Sequence, residues 1–199
     1  MQLWEASTFL IRYKSLLWIA LDQYRNLTIT VKSTLYDLYV DGVRQNNLTH
    51  ANNWTFPDVV PITPTNRLIG VMAIDSTETC AGILGSVTDD FLVTDGINWR
   101  CSVIPDVHWF ELGWDDTAWP LAYPLKYNET HNLSALCNDL NDVPGISENA
   151  YWIWAENILE APNYSSVVFC RGYLRKCLQI ILRIANKVTR LPFLCIDVI

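Results

Sequence analysis

The residues that most resemble an acid–base pair are two adjacent carboxylates, Asp115-Asp116, which lie between Trp114 and Trp119. Glycoside hydrolysis uses two carboxyl groups about 5–9 Å apart on opposite sides of a cleft. Because neighbouring residues of a strand point to opposite faces, an adjacent pair is poorly placed for that chemistry. The alternative is a turn in which the Asp side chains accept backbone N–H bonds while the tryptophans pack beneath. The chain also lacks a G-x-S-x-G motif, so we predict that it is not an enzyme.

A second group of carboxylates, Asp89, Asp90 and Asp95, flanks another turn. Carboxylate oxygens at such a turn could hold Ca²⁺ as a structural ion. The favoured alternative is ordinary turn chemistry, in which Asp side chains bond to nearby backbone groups. The three His residues are scattered and show no metal-ligand spacing. We therefore predict no required cofactor, with a structural calcium ion as the open alternative.

Aromatic residues are abundant, with nine Trp, nine Tyr and six Phe. Exposed aromatic rings beside Asp, Asn or Arg could form a sugar-binding surface. Trp54, Trp109 and Asp116 are the candidates, and Trp54 is expected to be exposed in a loop. Trp152 and Trp154 alternate along a predicted strand, so both are expected to lie in the core.

Six N-x-S/T triplets indicate a glycoprotein of the secretory pathway, since none has Pro in the middle position. The acceptor residues are Asn26, Asn47, Asn53, Asn128, Asn132 and Asn163. The alternative is that a chain rich in Asn and Thr forms such triplets by accident. The prediction is a secreted, extracellular protein. The first residues lack the basic region of a signal peptide, which predicts that the natural protein begins elsewhere.

Charge and hydropathy narrow the classes of partner. The net charge is −7, which argues against nucleic acid. Half of the residues are hydrophobic, enough for a sizeable core, while the longest apolar run near the N-terminus, residues 16–21, is too short to span a bilayer. Residues 175–199 are basic, with apolar residues at three- and four-residue spacing that predicts a short amphipathic helix or an irregular tail. Such a helix could contact an anionic membrane weakly or pack on its own domain.

Short apolar runs separated by turn signals predict an all-β sandwich. The predicted strands cover residues 27–31, 35–40, 68–74, 81–87, 91–94, 98–103, 107–112, 151–155 and 166–170. Alternation places Tyr36, Leu38 and Val40 on one face, and Asp41-Gly42 predicts a tight hairpin. Residues 68–74 are apolar on both faces, which indicates a central strand. Residues 128–149 are expected to form a long surface loop.

Several motifs occur in an order that resembles the galactose-binding-domain-like modules of invertebrate extracellular proteins. They are Tyr36-Asp-Leu-Tyr-Val-Asp-Gly42, Trp54, Leu68-Ile-Gly-Val-Met-Ala-Ile74, Cys80-Ala-Gly-Ile-Leu84, Thr94-Asp-Gly-Ile-Asn-Trp-Arg-Cys101, Trp114-Asp-Asp-Thr-Ala-Trp119, Ala150-Tyr-Trp-Ile-Trp154 and Val168-Phe-Cys-Arg171. The resemblance implies a jelly-roll β-sandwich over residues 27–174, with an N-terminal extension of uncertain status over 1–26 and a basic tail over 175–199. Related jelly rolls often hold a structural calcium ion.

The resemblance also implies two disulfides, Cys80–Cys101 and Cys137–Cys170. Cys177 and Cys195 are then left to bond to each other or to remain free. The implied function is non-catalytic binding of glycans or glycoproteins. Two alternatives stay open: a structural or adhesion domain of an extracellular matrix or coat, and an accessory domain of a glycoside hydrolase.

Overall fold

The computed structural model describes residues 24–76, 81–125, 143–158 and 166–174, and the backbone of four short strands after residue 175. The chain divides into two compact units. The larger unit comprises Asn26–Ile62 and Asn66–Leu174, and the smaller comprises Met1–Arg25, Thr63–Thr65 and Arg175–Ile199.

The larger unit is a sandwich of two antiparallel sheets, which confirms the all-β prediction. The strands of the first sheet are, in spatial order, β4 (Asp58–Ile62), β1 (Arg25–Lys32), β6 (Gly82–Val87), β10 (Trp152–Trp154) and β9 (Tyr123–Leu125), with β7 (Leu92–Val93) paired to β6. The strands of the second sheet are β3 (Val43–Arg44), β2 (Thr34–Val40), β5 (Leu68–Ile74), β11 (Val167–Tyr173) and β8 (Trp99–Ser102).

The core lies between the two sheets, and alternate residues of each strand supply it. In β1 these are Leu27, Ile29 and Val31, and in β5 they are Ile69, Val71 and Ala73; all are almost fully buried. The period of two follows from the pleat of the strands. Burying each of the Leu, Ile and Val side chains contributes roughly 1.5–3 kcal/mol to folding. Trp152 and Trp154 are also buried here, as predicted.

The predicted hairpin at Asp41-Gly42 is confirmed. Both residues have positive φ, 49° and 82°, and they connect Val40 to its partner Val43. This is the geometry that two-residue hairpins require and that Asp-Gly adopts readily. The Asp41 carboxylate accepts the backbone N–H groups of Arg67 and Leu68, both at 2.8 Å. The hairpin is thereby fastened to the start of β5, which is the central strand, as predicted.

The outer strands of both sheets are interrupted. β4 contains Pro61 and β9 contains Pro124, and proline has no backbone N–H to donate. β3 has only 2 residues. β8 carries an isolated bridge between Arg100 and Leu121.

An irregular segment, residues 103–120, covers the outer face of the second sheet as a third layer. The strand predicted over residues 107–112 is wrong, because this stretch forms successive turns. The N–H of Glu111 bonds to the carbonyl of His108 (2.9 Å), and that of Trp114 to the carbonyl of Glu111 (3.2 Å). Two of the apolar residues that suggested a strand, Trp109 and Phe110, instead join an apolar cluster formed with Trp119 and Phe169.

The predicted disulfides are corrected by the structure, in which Cys101 bonds to Cys170. The two residues are directly opposite each other in β8 and β11, with Cα atoms 4.1 Å apart. Neither Cys80–Cys101 nor Cys137–Cys170 can therefore form. Adjacent-strand pairing, which the sequence does not reveal, decides the partner. Cys80 and Cys137 lie outside the described residues.

Two tryptophans pack closely against glycines of neighbouring strands. A Cβ added to Gly172 would lie 2.5 Å from the Trp99 ring, and one added to Gly82 would lie 2.7 Å from Trp152. We expect Gly172→Ala to lower the free energy of unfolding by about 1–3 kcal/mol, because the buried indole must move. Gly113→Ala is the matched control, since no atom lies within 4 Å of its added Cβ. Urea unfolding measures both; equal stability of the two variants would contradict the prediction.

The prediction of a short amphipathic helix or an irregular tail over residues 175–199 is wrong in the backbone that the structure describes. The described backbone there forms two antiparallel pairs, β12 (Lys176–Leu178) with β15 (Leu194–Ile196) and β13 (Ile181–Ile184) with β14 (Lys187–Arg190). The segment is rich in β-branched residues, which favour strands over helices. Apolar spacing alone misled the prediction, and the described backbone of this segment forms strands in place of the helical face proposed for membrane contact.

Candidate functional site

A groove of about 210 Å³ opens beside the β2–β3 hairpin, at the edge of the second sheet. An aromatic ring, an ion pair and two carboxamides meet there with small apolar side chains. The lining residues are Leu35, Tyr36, Asp37, Arg44, Gln45, Asn46, Leu48 and Ala51.

A β-bulge turns Tyr36 into this groove. Leu35 pairs with Ala73 and Asp37 pairs with the next residue, Met72, so Tyr36 is the extra residue of β2. The strict alternation predicted for β2 is broken here: Leu35 and Leu38 are buried, whereas Tyr36 is 53% exposed. Bulges re-aim side chains in this way and often occur beside functional sites.

An ion pair forms the polar side of the groove. Arg44 Nε donates to Asp37 Oδ1 at 2.5 Å, and its Nη2 also contacts that oxygen. Tyr39 Oη donates to Asp37 Oδ2 at 3.4 Å. Burial, followed by the Asp37 charge, raises the pKa of Tyr39 above 10.0, so the phenol stays protonated at neutral pH.

The groove therefore combines a ring face with fixed donors and acceptors. The guanidinium of Arg44 and the carboxamides of Gln45 and Asn46 can donate, and the Asp37 carboxylate can accept. Gln45 Nε2 is held by the carbonyl of Val43 at 2.8 Å, which orients its free carbonyl oxygen. Such an arrangement suits a small polar ligand that also has an apolar face.

Trp109 and Asp116, two of the predicted sugar-contacting residues, lie in the third layer instead. Each is only 6% exposed, so neither presents a free surface. Trp109 packs edge-on against Tyr39 and Phe169, with ring centroids 5.6 and 5.3 Å away. Asp116 forms a buried ion pair with Arg171 at 2.8 Å. The structure uses both side chains to hold the layer together.

Arg171 is the centre of that layer and is 0% exposed. Its Nε donates to Asp116 Oδ2, and its Nη2 donates to Tyr173 Oη at 3.0 Å. It also donates to three backbone carbonyls of the covering segment, those of Trp109, Glu111 and Trp114. Tyr173 Oη completes the network by donating to Asp116 at 2.6 Å. One guanidinium thus supplies hydrogen-bond donors to three backbone carbonyls of a segment that has no regular secondary structure.

Trp54, the third predicted sugar contact, is half-buried at the first sheet and is less exposed than predicted. Its ring packs against Trp152, with centroids 6.3 Å apart. Lys32 Nζ lies 4.1 Å above the same ring. The structure does not bring Trp54 together with Trp109 or Asp116, because those two lie on the outer face of the second sheet.

Two of the three predicted metal ligands accept hydrogen bonds, Asp95 within its own turn and Asp90 from a distant loop. Asp95 Oδ1 accepts the N–H groups of Ile97 and Asn98, and Asp90 Oδ2 accepts Asn149 Nδ2 at 2.7 Å. Asp89 and Asp90 have positive φ and line a separate cleft of about 390 Å³. Within the described ranges, no three His, Cys, Asp or Glu side chains are grouped as metal ligands.

Asp115 and Asp116 have separate roles. Asp115 is exposed and accepts the backbone N–H of Thr117 at 2.9 Å, a bond that lowers its pKa below 3.8. This is the turn interaction expected as the alternative to an acid–base pair.

An exposed ion pair in the covering segment gives a testable titration. His108 Nδ1 lies 2.8 Å from Glu111 Oε1, and this hydrogen bond raises the pKa of His108 above 6.5. The pair is therefore fully formed below about pH 6.5 and is lost as the pH rises through the higher folded-state pKa. We expect an NMR titration to show the raised pKa and Glu111→Gln to lower it. A wild-type His108 pKa at or below 6.5 would contradict the assignment.

The sequon asparagines within the described ranges, Asn26, Asn47 and Asn53, are all exposed. Their side chains are therefore accessible for sugar attachment. The other three, Asn128, Asn132 and Asn163, lie outside those ranges.

Comparison with protein families, with curated proteins and with solved structures finds no match for this chain. In the part of the chain that the structure describes, no helix is long and apolar enough to cross a bilayer. The geometry of the site must therefore carry any functional assignment.

The sequence patterns do not identify two important residues, Tyr36 and Arg171, as parts of a site. No sequence signal marks the bulge that exposes Tyr36, because Leu35–Val40 also fits a regular strand. Arg171 did carry a signal: it follows the apolar run Val168-Phe-Cys170 on a strand, where a charge must find partners.

Proposed function

We propose that this chain is a secreted, glycosylated jelly-roll module of the galactose-binding-like type that binds carbohydrate or glycosylated partners without catalysis. The observation that supports this function is the bulge that holds an exposed tyrosine ring beside the Asp37–Arg44 pair. A pyranose offers an apolar C–H face for the ring and hydroxyl groups for the ion pair. Both kinds of contact occur within one groove.

The size of the groove defines the ligand further. Its volume of about 210 Å³ is below the roughly 300–1,000 Å³ of sites for drug-sized ligands. The groove therefore suits a single terminal sugar. A single small contact of this kind binds weakly, so useful affinity would come from several modules or several glycans acting together.

Replacement of Tyr36 tests this function. We expect Tyr36→Ala to weaken glycan binding about tenfold, since an aromatic contact contributes roughly 0.5–1.5 kcal/mol. The ligand is first identified by a glycan-array screen of protein expressed through a secretory route, and calorimetry then compares the variants. Tyr151→Ala is the matched control, because Tyr151 is 50% exposed but does not line the groove. Equal losses in both variants, or none in either, would refute the groove as the site.

A structural or adhesion role is the second candidate, and one observation favours it. Val103, Ile104 and Val107 expose apolar side chains along the covering segment. Exposed apolar groups that lie together mark protein-binding surfaces. A blank glycan array, together with adhesion to extracellular matrix that is lost in Ile104→Glu, would favour this role over carbohydrate binding.

A further inference from the structure

The sequon at Asn53 lies in a connection that is fastened to the sandwich. The middle residue, Trp54, packs its ring against Trp152 and beneath Lys32. Its carbonyl accepts Thr30 Oγ1 from β1 at 3.0 Å. The acceptor asparagine is therefore held in a defined position on the surface.

Two consecutive turns set the conformation around Asn53. Its N–H bonds to the carbonyl of His50 at 2.8 Å, and its carbonyl accepts the N–H of Phe56 at 3.1 Å. The start of this loop is anchored by Asp58, a buried carboxylate that accepts the N–H groups of Thr49 and His50. In the second turn, Asn53 and Phe56 are the first and fourth residues, so their Cα atoms lie within about 7 Å.

The side chain of Asn53 is oriented for a sugar. Its Oδ1 accepts the N–H of Thr55 at 3.3 Å and the hydroxyl of Thr55 at 2.8 Å. The described hydrogen bonds thus involve the amide oxygen and not Nδ2, the atom to which the sugar attaches, and the residue is exposed. Phe56 is 58% exposed at the other end of the same turn. Only the tilted ring of His50, 5.8 Å away, contacts it as an aromatic neighbour among the described residues.

We infer that the first N-acetylglucosamine on Asn53 packs its apolar face on Phe56, which makes this glycan part of the folded loop. The inference rests on the proposed passage through the secretory pathway. The physical reason is burial of apolar surface: the ring is exposed, and a sugar on the neighbouring asparagine covers it without loss of translational freedom. The two partners are already ordered by the turn, so the contact costs little further entropy.

Thermal unfolding tests the contact in protein secreted with high-mannose glycans. Mass spectrometry first establishes occupancy at each sequon. We expect Asn53→Gln to lower the Tm by about 2–4 °C. Trimming with an endoglycosidase that leaves one N-acetylglucosamine should leave the Tm unchanged. Asn47→Gln is the control, because it removes a glycan from the same connection but keeps Asn53 and Phe56. In the Phe56→Ala background, Asn53→Gln should lower the Tm less than it does in the wild type, because only the turn hydrogen bonds to Thr55 are then lost.

A spectroscopic readout distinguishes this contact from general effects of a glycan. In NMR spectra of the trimmed protein, the ring current of Phe56 should shift protons of the sugar on Asn53 upfield, and Phe56→Ala should remove that shift. Three results would each overturn this inference but not the proposed function. They are an Asn53 without glycan beside occupied sequons elsewhere, equal Tm values for Asn53→Gln and Asn47→Gln, and unshifted sugar protons. No occupied sequon at all would overturn the proposed secretion as well, whereas a blank glycan array would leave the inference intact.

Discussion

Replacement of Arg171 by Met is expected to lower the free energy of unfolding by about 3–5 kcal/mol. The substitution keeps an apolar stem but removes the guanidinium from a site that is fully excluded from solvent. The Asp116 carboxylate would then be buried without its cation. Three carbonyls of the covering segment would lose their donor at the same time. Each unsatisfied buried group carries its own desolvation cost.

The ion pair between Arg44 and Asp37 provides the control for this prediction. Arg44→Met removes an arginine that also pairs with an aspartate, but its side chain is largely in solvent. The expected loss is about 0.2–1 kcal/mol. Urea unfolding followed by tryptophan fluorescence compares the two variants. Release of the third layer should also shift the emission of Arg171→Met to longer wavelength before global unfolding. If Arg171→Met lowers the free energy of unfolding no more than Arg44→Met does, Arg171 does not hold the third layer in place.

A double variant separates charge burial from packing. Asp116→Leu combined with Arg171→Met removes both charges of the pair. The double variant therefore has no buried carboxylate without a cation, which Arg171→Met alone has. We therefore expect the double variant to recover part of the lost stability. A further loss would show that the two residues do not act mainly through each other.

Loss of the Cys101–Cys170 disulfide is the second large effect. In the chain-entropy model it lowers the free energy of unfolding by about 4 kcal/mol. The bond joins residues that are 69 positions apart in sequence. Its removal frees a long loop of the unfolded chain and so favours unfolding. Both sulfur positions lie in the apolar core, so Ala is the suitable replacement for each. We expect Cys101→Ala/Cys170→Ala to unfold at much lower urea concentration than the wild type.

Peptide mapping without reduction checks the pairing itself. The expected result is one cross-linked peptide that contains Cys101 and Cys170. A peptide that joins Cys101 to Cys80 would contradict the structure and restore the pairing implied by the resemblance. Adding a reducing agent supplies a second comparison. If the reducing agent also destabilises the double Ala variant, that part of its effect comes from other disulfides.

Local patterns of the sequence predicted the centre of the sandwich well. β5 begins and ends at Leu68 and Ile74 as expected, because a run that is apolar on both faces fits only a covered strand. The Asp41-Gly42 hairpin was predictable for a similar reason, since few residues tolerate positive φ at both positions. The C-terminal segment shows the limit of such patterns, because its three- and four-residue spacing was also compatible with short strands.

The candidate site was harder to predict, because it depends on relations between strands. The orientation of Tyr36 depends on a register shift against β5, which no property of β2 alone reveals. The disulfide depends on β8 and β11 being neighbours, although 69 positions separate the two cysteines. Exposure was equally unpredictable for a tryptophan outside the strands: the sequence predicts Trp109 as a surface ring, yet residues 103–120 fold it onto Gly70 of the sheet.

The interrupted outer strands affect whether molecules of this protein aggregate through their sheet edges at high concentration. A straight, unpaired strand can template cross-β growth from one molecule to the next. Here Pro61 and Pro124 remove donors from the margins of the first sheet. The second sheet ends in a two-residue strand on one side and in the Arg100–Leu121 bridge on the other. Copies arrayed in tandem or concentrated in a dense coat could therefore be crowded together without fusing into fibrils.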